Sequence, residues 1–350
     1  MRHRLKKRSV RSSILILSAA LICGTSSAEE PAADLSNLIV KPDAFKTLVN
    51  PQCSHCRDEA KRRAGELRES DRTLCWIRGY SDGGGIPIRF FLSSYRVISD
   101  SYGVFVYDPD AGFARGFAPS YDFAFDGWRN GVMVMKEKDG TRYSGLTGIA
   151  FDGPKKGAKL KAIPTLVSDW GFWLERYPQA VAYHMFDKYQ PVEVPETPHP
   201  DSILSRGKPD ERLPAGALVL GVSERKQERA YPLDSLEKAG LIAETVDGQP
   251  WVVLYYAPTR TAAAYLSLAA PVVKDKEPPP KPRAVTMLLD KDQKTTAAPF
   301  VDKETGSHWD ITGRAVDGEL KGQMLIWLDG TQCKWFAWAA EYPRTTIYGK

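Results

Sequence analysis

The chain has 350 residues, of which 43% are hydrophobic and 26% charged, with a formal net charge of +5. These fractions are those of a globular protein and exclude a disordered or collagen-like chain. Six Lys and Arg but no Asp or Glu fall within residues 1–28, so beyond them the formal charge drops from +5 to −1. Such a near-neutral body has no general pull on nucleic acid or anionic lipid.

Residues 1–28 read as a secretory signal. Arg2, Arg4, Lys6, Lys7, Arg8 and Arg11 precede an apolar stretch over residues 14–22, and Ser26-Ser27-Ala28 offers small residues for cleavage before Glu29-Glu30. The apolar stretch is about half of the roughly 20 residues a membrane-spanning helix needs, and no second apolar stretch is long enough to span a membrane. Cys23 would be the acylated residue of a lipoprotein, but Ile22 stands where a small residue is usual. The expected location is therefore the periplasm or the outside of the cell.

Residues 29–78 form a cysteine-bearing segment. Cys53-Ser54-His55-Cys56 is its sharpest feature, and Cys75 follows. A Cys-x-x-Cys pair suits thiol exchange. With His55 and Cys75 it also offers three sulfurs and a nitrogen to a zinc or copper ion. Export to an oxidising compartment favours a third reading, a structural disulfide. Arg57 after the second cysteine, where covalent haem needs His, excludes haem, and no nucleotide-binding signature is present. Residues 57–68 read as a charged helix.

Residues 79–190 and 215–350 read as two related β-rich modules joined by a proline-rich linker, residues 191–214, that carries Pro191, Pro195, Pro198, Pro200, Pro209 and Pro214. Strand-like runs lie at 86–92, 103–107 and 131–135, then at 217–222, 251–256 and 285–289, with a short helix expected near 233–239. Asp82-Gly83-Gly84-Gly85 reads as a hairpin turn, and residues 274–283 as a solvated loop. The stretch Thr147-Gly148-Ile149-Ala150-Phe151-Asp152-Gly153 recurs 165 residues further on as Thr312-Gly313-Arg314-Ala315-Val316-Asp317-Gly318. The same offset carries Trp170 to Trp335, Trp173 to Trp338, and Tyr177-Pro178 to Tyr342-Pro343. A period this long means two whole modules. The aromatic spacing i, i+3, i+7 predicts a core-facing helix in each, capped by Ser168 or Thr331 and stopped by Pro178 or Pro343. The fold class expected is α+β, mainly β, duplicated about a pseudo-twofold.

The second half resembles the bacterial family catalogued as domain of unknown function 3179. The resemblance rests on Val219-Leu220-Gly221-Val222, Ala230-Tyr231-Pro232-Leu233, Gly248-Gln249-Pro250-Trp251 and Trp309-Asp310-Ile311-Thr312-Gly313-Arg314-Ala315. The first half is similar to a divergent member through Tyr143-Ser144-Gly145-Leu146-Thr147-Gly148. The resemblance implies a fold unit but no activity. Members often carry Cys-Pro-Leu-Cys where this chain has Ala257-Pro258-Thr259-Arg260, so both thiols are absent here.

Ser-x-x-Lys occurs at Ser205, Ser223 and Ser235, and that multiplicity deprives it of meaning; no Gly-x-Ser-x-Gly elbow exists. Residues 113–128, with no counterpart in the second copy, read as an aromatic and polar loop. Arg115, Tyr121, Asp122, Asp126 and Trp128, together with Arg314, are the expected ligand-binding residues. The functional expectation is an exported protein that binds a small molecule, a metal or an envelope protein. The alternative is a thiol- or metal-dependent oxidoreductase working through Cys53 and Cys56.

Overall fold

A computed structural model describes residues 35–62, 66–92, 95–183, 192–272, 281–292 and 296–350. The expected signal, Cys23, His184 and most of the 274–283 loop lie outside the described residues. Residues 34–350 form one compact unit. It is mainly β, with six short helices among the described residues: α1 (Cys56–Arg62), α2 (Ile88–Phe91), α3 (Trp170–Arg176), α4 (Pro200–Leu204), α5 (Leu233–Ala239) and α6 (Trp335–Glu341).

Each half opens with a sheet of the same plan. In the first, the strand Thr165–Asp169 pairs antiparallel with Arg72–Ile77, which pairs antiparallel with Gly83–Pro87, which takes Val181–Tyr183 in parallel; Cys53–His55 adds a fifth strand. In the second, Gly330–Lys334 pairs with Leu218–Glu224, then Gln227–Pro232, then Thr346–Ile347, with the same senses. Thr165–Asp169 with α3 and Gly330–Lys334 with α6 have identical lengths at the 165-residue offset. Each half continues into a second sheet. Its centre is the hairpin Val104–Asp108 with Phe113–Phe117 in the first half, and Gln249–Tyr256 with Thr261–Pro271 in the second.

The aromatic helices bury Trp170 and Trp173 on α3, with Tyr177 just after it, and Trp335 and Trp338 on α6, while Tyr342 just after α6 is half-buried. Trp173 covers Gly85 and Trp338 covers Gly221, where a Cβ would meet the rings at 2.8 and 2.2 Å. The two halves interlock through these helices. Trp335 and Trp338 join the core of Phe113, Phe123 and Trp128 in the first half, and Phe172 of α3 packs on the core around Trp309 in the second.

Three local expectations differ. Ser168 and Thr331 are not helix caps; both lie inside strands, whose pairing runs on through Asp169 and Lys334 to the first helical residue. Residues 86–92 are not one strand, because Pro87 ends it and α2 follows. Residues 113–128 are not a loop but the strands Phe113–Phe117 and Phe123–Arg129, joined by residues 118–122. The proline-rich stretch, described from residue 192, contains α4, whose Ser202 and Ser205 are buried.

Candidate binding cavity

The strand Val104–Asp108 ends in a four-residue connection, Pro109-Asp110-Ala111-Gly112, before Phe113–Phe117 begins. Gly112 closes it with φ +71°, a left-handed conformation that costs glycine nothing, and its N–H donates to the Asp108 carbonyl at 2.8 Å. The turn carries two carboxyls inward: Asp108 and Asp110 are 2% and 5% exposed. Asp108 Oδ1 accepts the backbone N–H groups of Asp110 and Ala111 at 2.9 and 3.0 Å, and Oδ2 accepts that of Met133 at 2.9 Å. Burial first, then the Asp110 charge, pushes the Asp108 carboxyl up to about 6.

Over this turn lies a cavity of about 430 Å³. One wall is aromatic. Trp128 stacks on His199 with centroids 4.4 Å apart, and Phe125 and Phe45 meet Trp128 edge-on at 5.0 and 6.0 Å. The rim is Pro195, Pro198 and Pro200, a stiff run whose His199 N–H donates to Asp110 Oδ1 at 3.1 Å. His199 Nδ1 accepts the Asp201 N–H at 3.2 Å, so a neutral ring carries its proton on Nε2. Ser205 Oγ accepts the Gly131 N–H and Ser202 Oγ donates to the Gly131 carbonyl, pinning the proline-rich stretch to the turn after Trp128. Arg96 also lines the cavity. Its guanidinium lies 3.8 Å from the Phe45 centroid, and Nη1 donates to the carbonyls of Tyr95 and Leu92. Burial lowers the Arg96 pKa from its ordinary value, while Asp108 and Asp110 oppose that shift. A concave, largely apolar space with a few convergent polar groups is the usual form of a small-ligand site.

Of the residues the sequence singled out, Trp128 alone lies at this cavity. Arg115 is buried and ion-paired with Asp329 at 2.7 Å, tying the halves together. Although burial works against it, Arg115 and Lys159 hold the Asp329 carboxyl below its ordinary value. Asp126 is buried between Lys136 and Arg142, each at 2.7 Å. Tyr121 is exposed, and Asp122 meets Lys138 at the surface. Arg314 pairs with Asp310 at 3.1 Å, donates to the Tyr80 carbonyl, and lies against the rings of Tyr80 and Tyr177. It clamps the halves together. The residues missed are Phe45, Arg96, Asp108, Asp110 and His199. Their signal was faint: an Asp-Pro-Asp turn and a lone histidine among prolines.

The cysteines are not brought together as expected. All four described cysteines are free, so the structural disulfide is not formed. Cys53 lies on a strand and packs with the cluster of Leu74 and Phe105, its Sγ 3.9 Å from Tyr102 Oη. Cys56 begins α1 and enters a different cluster with Cys75 and Trp173. The His55 Nδ1–H donates to the Gln179 carbonyl at 2.7 Å. Among the described residues no group of three or more His, Cys, Asp or Glu is placed to hold a metal ion. Burial, then the neighbouring Cys56, pushes the Cys75 thiol well above its ordinary value, which keeps it protonated and unreactive.

A larger groove of about 880 Å³ runs along residues 206–212 and α6. In it Arg212 pairs with Asp210 at 2.7 Å, and Arg206 stacks on Phe336 at 4.0 Å. It lacks the pair of buried carboxyls beside aromatic rings that the smaller cavity has, so the smaller cavity is the better site. No described helix is long and apolar enough to cross a membrane.

No curated protein and no solved structure matches the chain. Residues 120–345 match the family described as a protein of unknown function, DUF3179. That span takes in the Thr147-Gly148 and Thr312-Gly313 runs, both aromatic helices, and the Trp128 and His199 wall of the cavity. The chain belongs to the DUF3179 family.

Proposed function

We propose that residues 1–28 export the chain and that the remainder is an envelope protein that binds a small ligand in the cavity between Trp128, His199 and the Asp108–Gly112 turn. The observation that carries the reading is the pair of buried carboxyls at the floor of a cavity walled by aromatic rings. A core built only for stability would place apolar groups there, since a buried carboxylate is costly to desolvate. The matching strand and helix lengths at the 165-residue offset support descent of both halves from one module, with the site kept or acquired in the first. The Cys53/Cys56 oxidoreductase has less support, because the two thiols enter separate clusters.

Two experiments test the reading. Protein isolated from the periplasm, denatured and extracted, should release one small molecule in near-stoichiometric amount by mass spectrometry. A folded Trp128→Leu variant should release less than a tenth of it. Equal recovery from both, or none from the native protein, contradicts the binding role. Sequencing the amino terminus of the same preparation should begin at Glu29, whereas an intact Met1 contradicts export.

A further inference from the structure

We propose that the cavity recognises a primary ammonium ion on a compact apolar body, with the ammonium docked on Asp110; this rests on the ligand-binding reading above. The two aspartates are not equivalent. Both oxygens of Asp108 are taken by three backbone N–H groups. Asp110 accepts the His199 N–H on Oδ1, and among the described residues its Oδ2 accepts no hydrogen bond. Asp110 is nonetheless 5% exposed and lines the cavity. Among the described residues neither carboxyl has a Lys, Arg or His nitrogen within the 4.0 Å of an ion pair.

The charges of Arg96 and Arg206 act on both carboxyls, but neither forms an ion pair with them, and Arg206 stacks on Phe336. Lys334 reaches the turn from behind, and its Nζ donates to the carbonyls of Pro109 and Asp110. Arg96 spends Nη1 on the Tyr95 and Leu92 carbonyls and lies flat on Phe45. The cavity therefore presents one carboxylate oxygen that accepts no hydrogen bond among the described residues, and its lining cation, Arg96, makes no ion pair with it. An anionic ligand would face two carboxylates against the single Arg96. A ligand without a donor would leave Asp110 Oδ2 unpaired in a desolvated site, which is costly. A quaternary ammonium has no N–H to give Oδ2. A bare metal ion needs several oxygen donors, and Asp110 brings one. A primary ammonium fits both charge and hydrogen bonding, and the faces and edges of Phe125 and Trp128 suit an apolar body beside a cation.

The test is calorimetric titration of the full-length exported protein with matched probes on two bodies, phenethyl and hexyl. Each body carries in turn an amine, an alcohol and a carboxylate, and phenylalanine and 6-aminohexanoate serve as zwitterions. The expected result is that one of the amines binds at least tenfold tighter than its alcohol and its carboxylate. Asp110→Asn, shown by circular dichroism to be folded, should bring the amine's affinity to within threefold of the alcohol's. Trp128→Leu should weaken every probe of that body. Tightest binding of a carboxylate or a zwitterion, lost in Trp128→Leu, overturns the ammonium assignment and leaves the ligand-binding reading standing. An amine preference that survives Asp110→Asn overturns the role of Asp110. Binding of no probe by the native protein overturns the assignment; the ligand-binding reading then stands or falls on the extraction experiment.

Discussion

The two central hairpins of the molecule share a frame and differ in content. Asp108 pairs with Phe113 across a four-residue connection, and Tyr256 pairs with Thr261 across another; both connections end on a left-handed residue, Gly112 or Arg260. Each is gripped from the other half, the first by Lys334 and the second by Arg72, whose Nη1 donates to the Thr259 carbonyl. The first turn buries two carboxyls under an open cavity, whereas the second buries Thr259 and Thr261, whose hydroxyls bond each other and the Val167 carbonyl. One frame thus serves two ends. Where neutral hydroxyls close on the protein's own groups, the turn is structural. Where a carboxyl stays uncommitted above empty space, it is available to a ligand.

The largest expected effect concerns the clamp at Arg314. Its counterpart at the 165-residue offset is Ile149. Arg314→Ala would leave Asp310 as an unpaired carboxylate with no exposure, and should cost about 4 kcal/mol in urea unfolding. Ile149→Ala, at a half-buried position, should cost about 1 kcal/mol. Equal losses would mean that Arg314 is not a clamp.

Next comes the pH dependence written into the first turn. The Asp108 carboxyl titrates at about 6 in the folded protein against 3.8 as its ordinary value. The folded state therefore holds a proton that the unfolded chain has already lost between pH 4 and 6, and stability falls as pH rises through that window. The free energy of unfolding of the native protein relative to Asp108→Asn should drop by about 3 kcal/mol from pH 4 to pH 7. The second turn has no carboxyl and should add nothing there. A flat difference between the two proteins would place Asp108 in contact with water.

The smallest effect compares the glycines beneath the two aromatic helices. Gly221→Ala drives a Cβ into the ring of Trp338 and should cost about 2 kcal/mol, while Gly85→Ala, with more room beside Trp173, should cost about 1 kcal/mol, read as melting temperatures. The reverse order would show that the two sheets yield differently from their spacing.

Much of the frame was legible in the sequence. The aromatic stripes and the glycine turns stand at one offset, and α5 falls at 233–239 as its pattern predicts. Helix starts were misread because Ser168 and Thr331 look like caps, yet cross-strand pairing holds them extended. The cavity was not legible. Phe45, Arg96, Asp110, Trp128 and His199 come from five separate stretches, and Asp-Pro-Asp is ordinary turn chemistry until its burial is known. The cysteine motif misled for the converse reason. Close spacing in sequence brings two sulfurs near each other only if the backbone between them turns, and here it passes from strand to helix with the side chains in different cores.

The most direct test of the account is a crystal structure of the protein soaked with the tighter-binding of 2-phenylethylamine and hexylamine. The account predicts density in the cavity of the first half, with nitrogen within hydrogen-bonding distance of Asp110 Oδ2, the apolar body against Phe125 and Trp128, and nothing at the Ala257–Thr259 turn. An empty or collapsed cavity at saturating amine, or occupancy at the second turn instead, would contradict it.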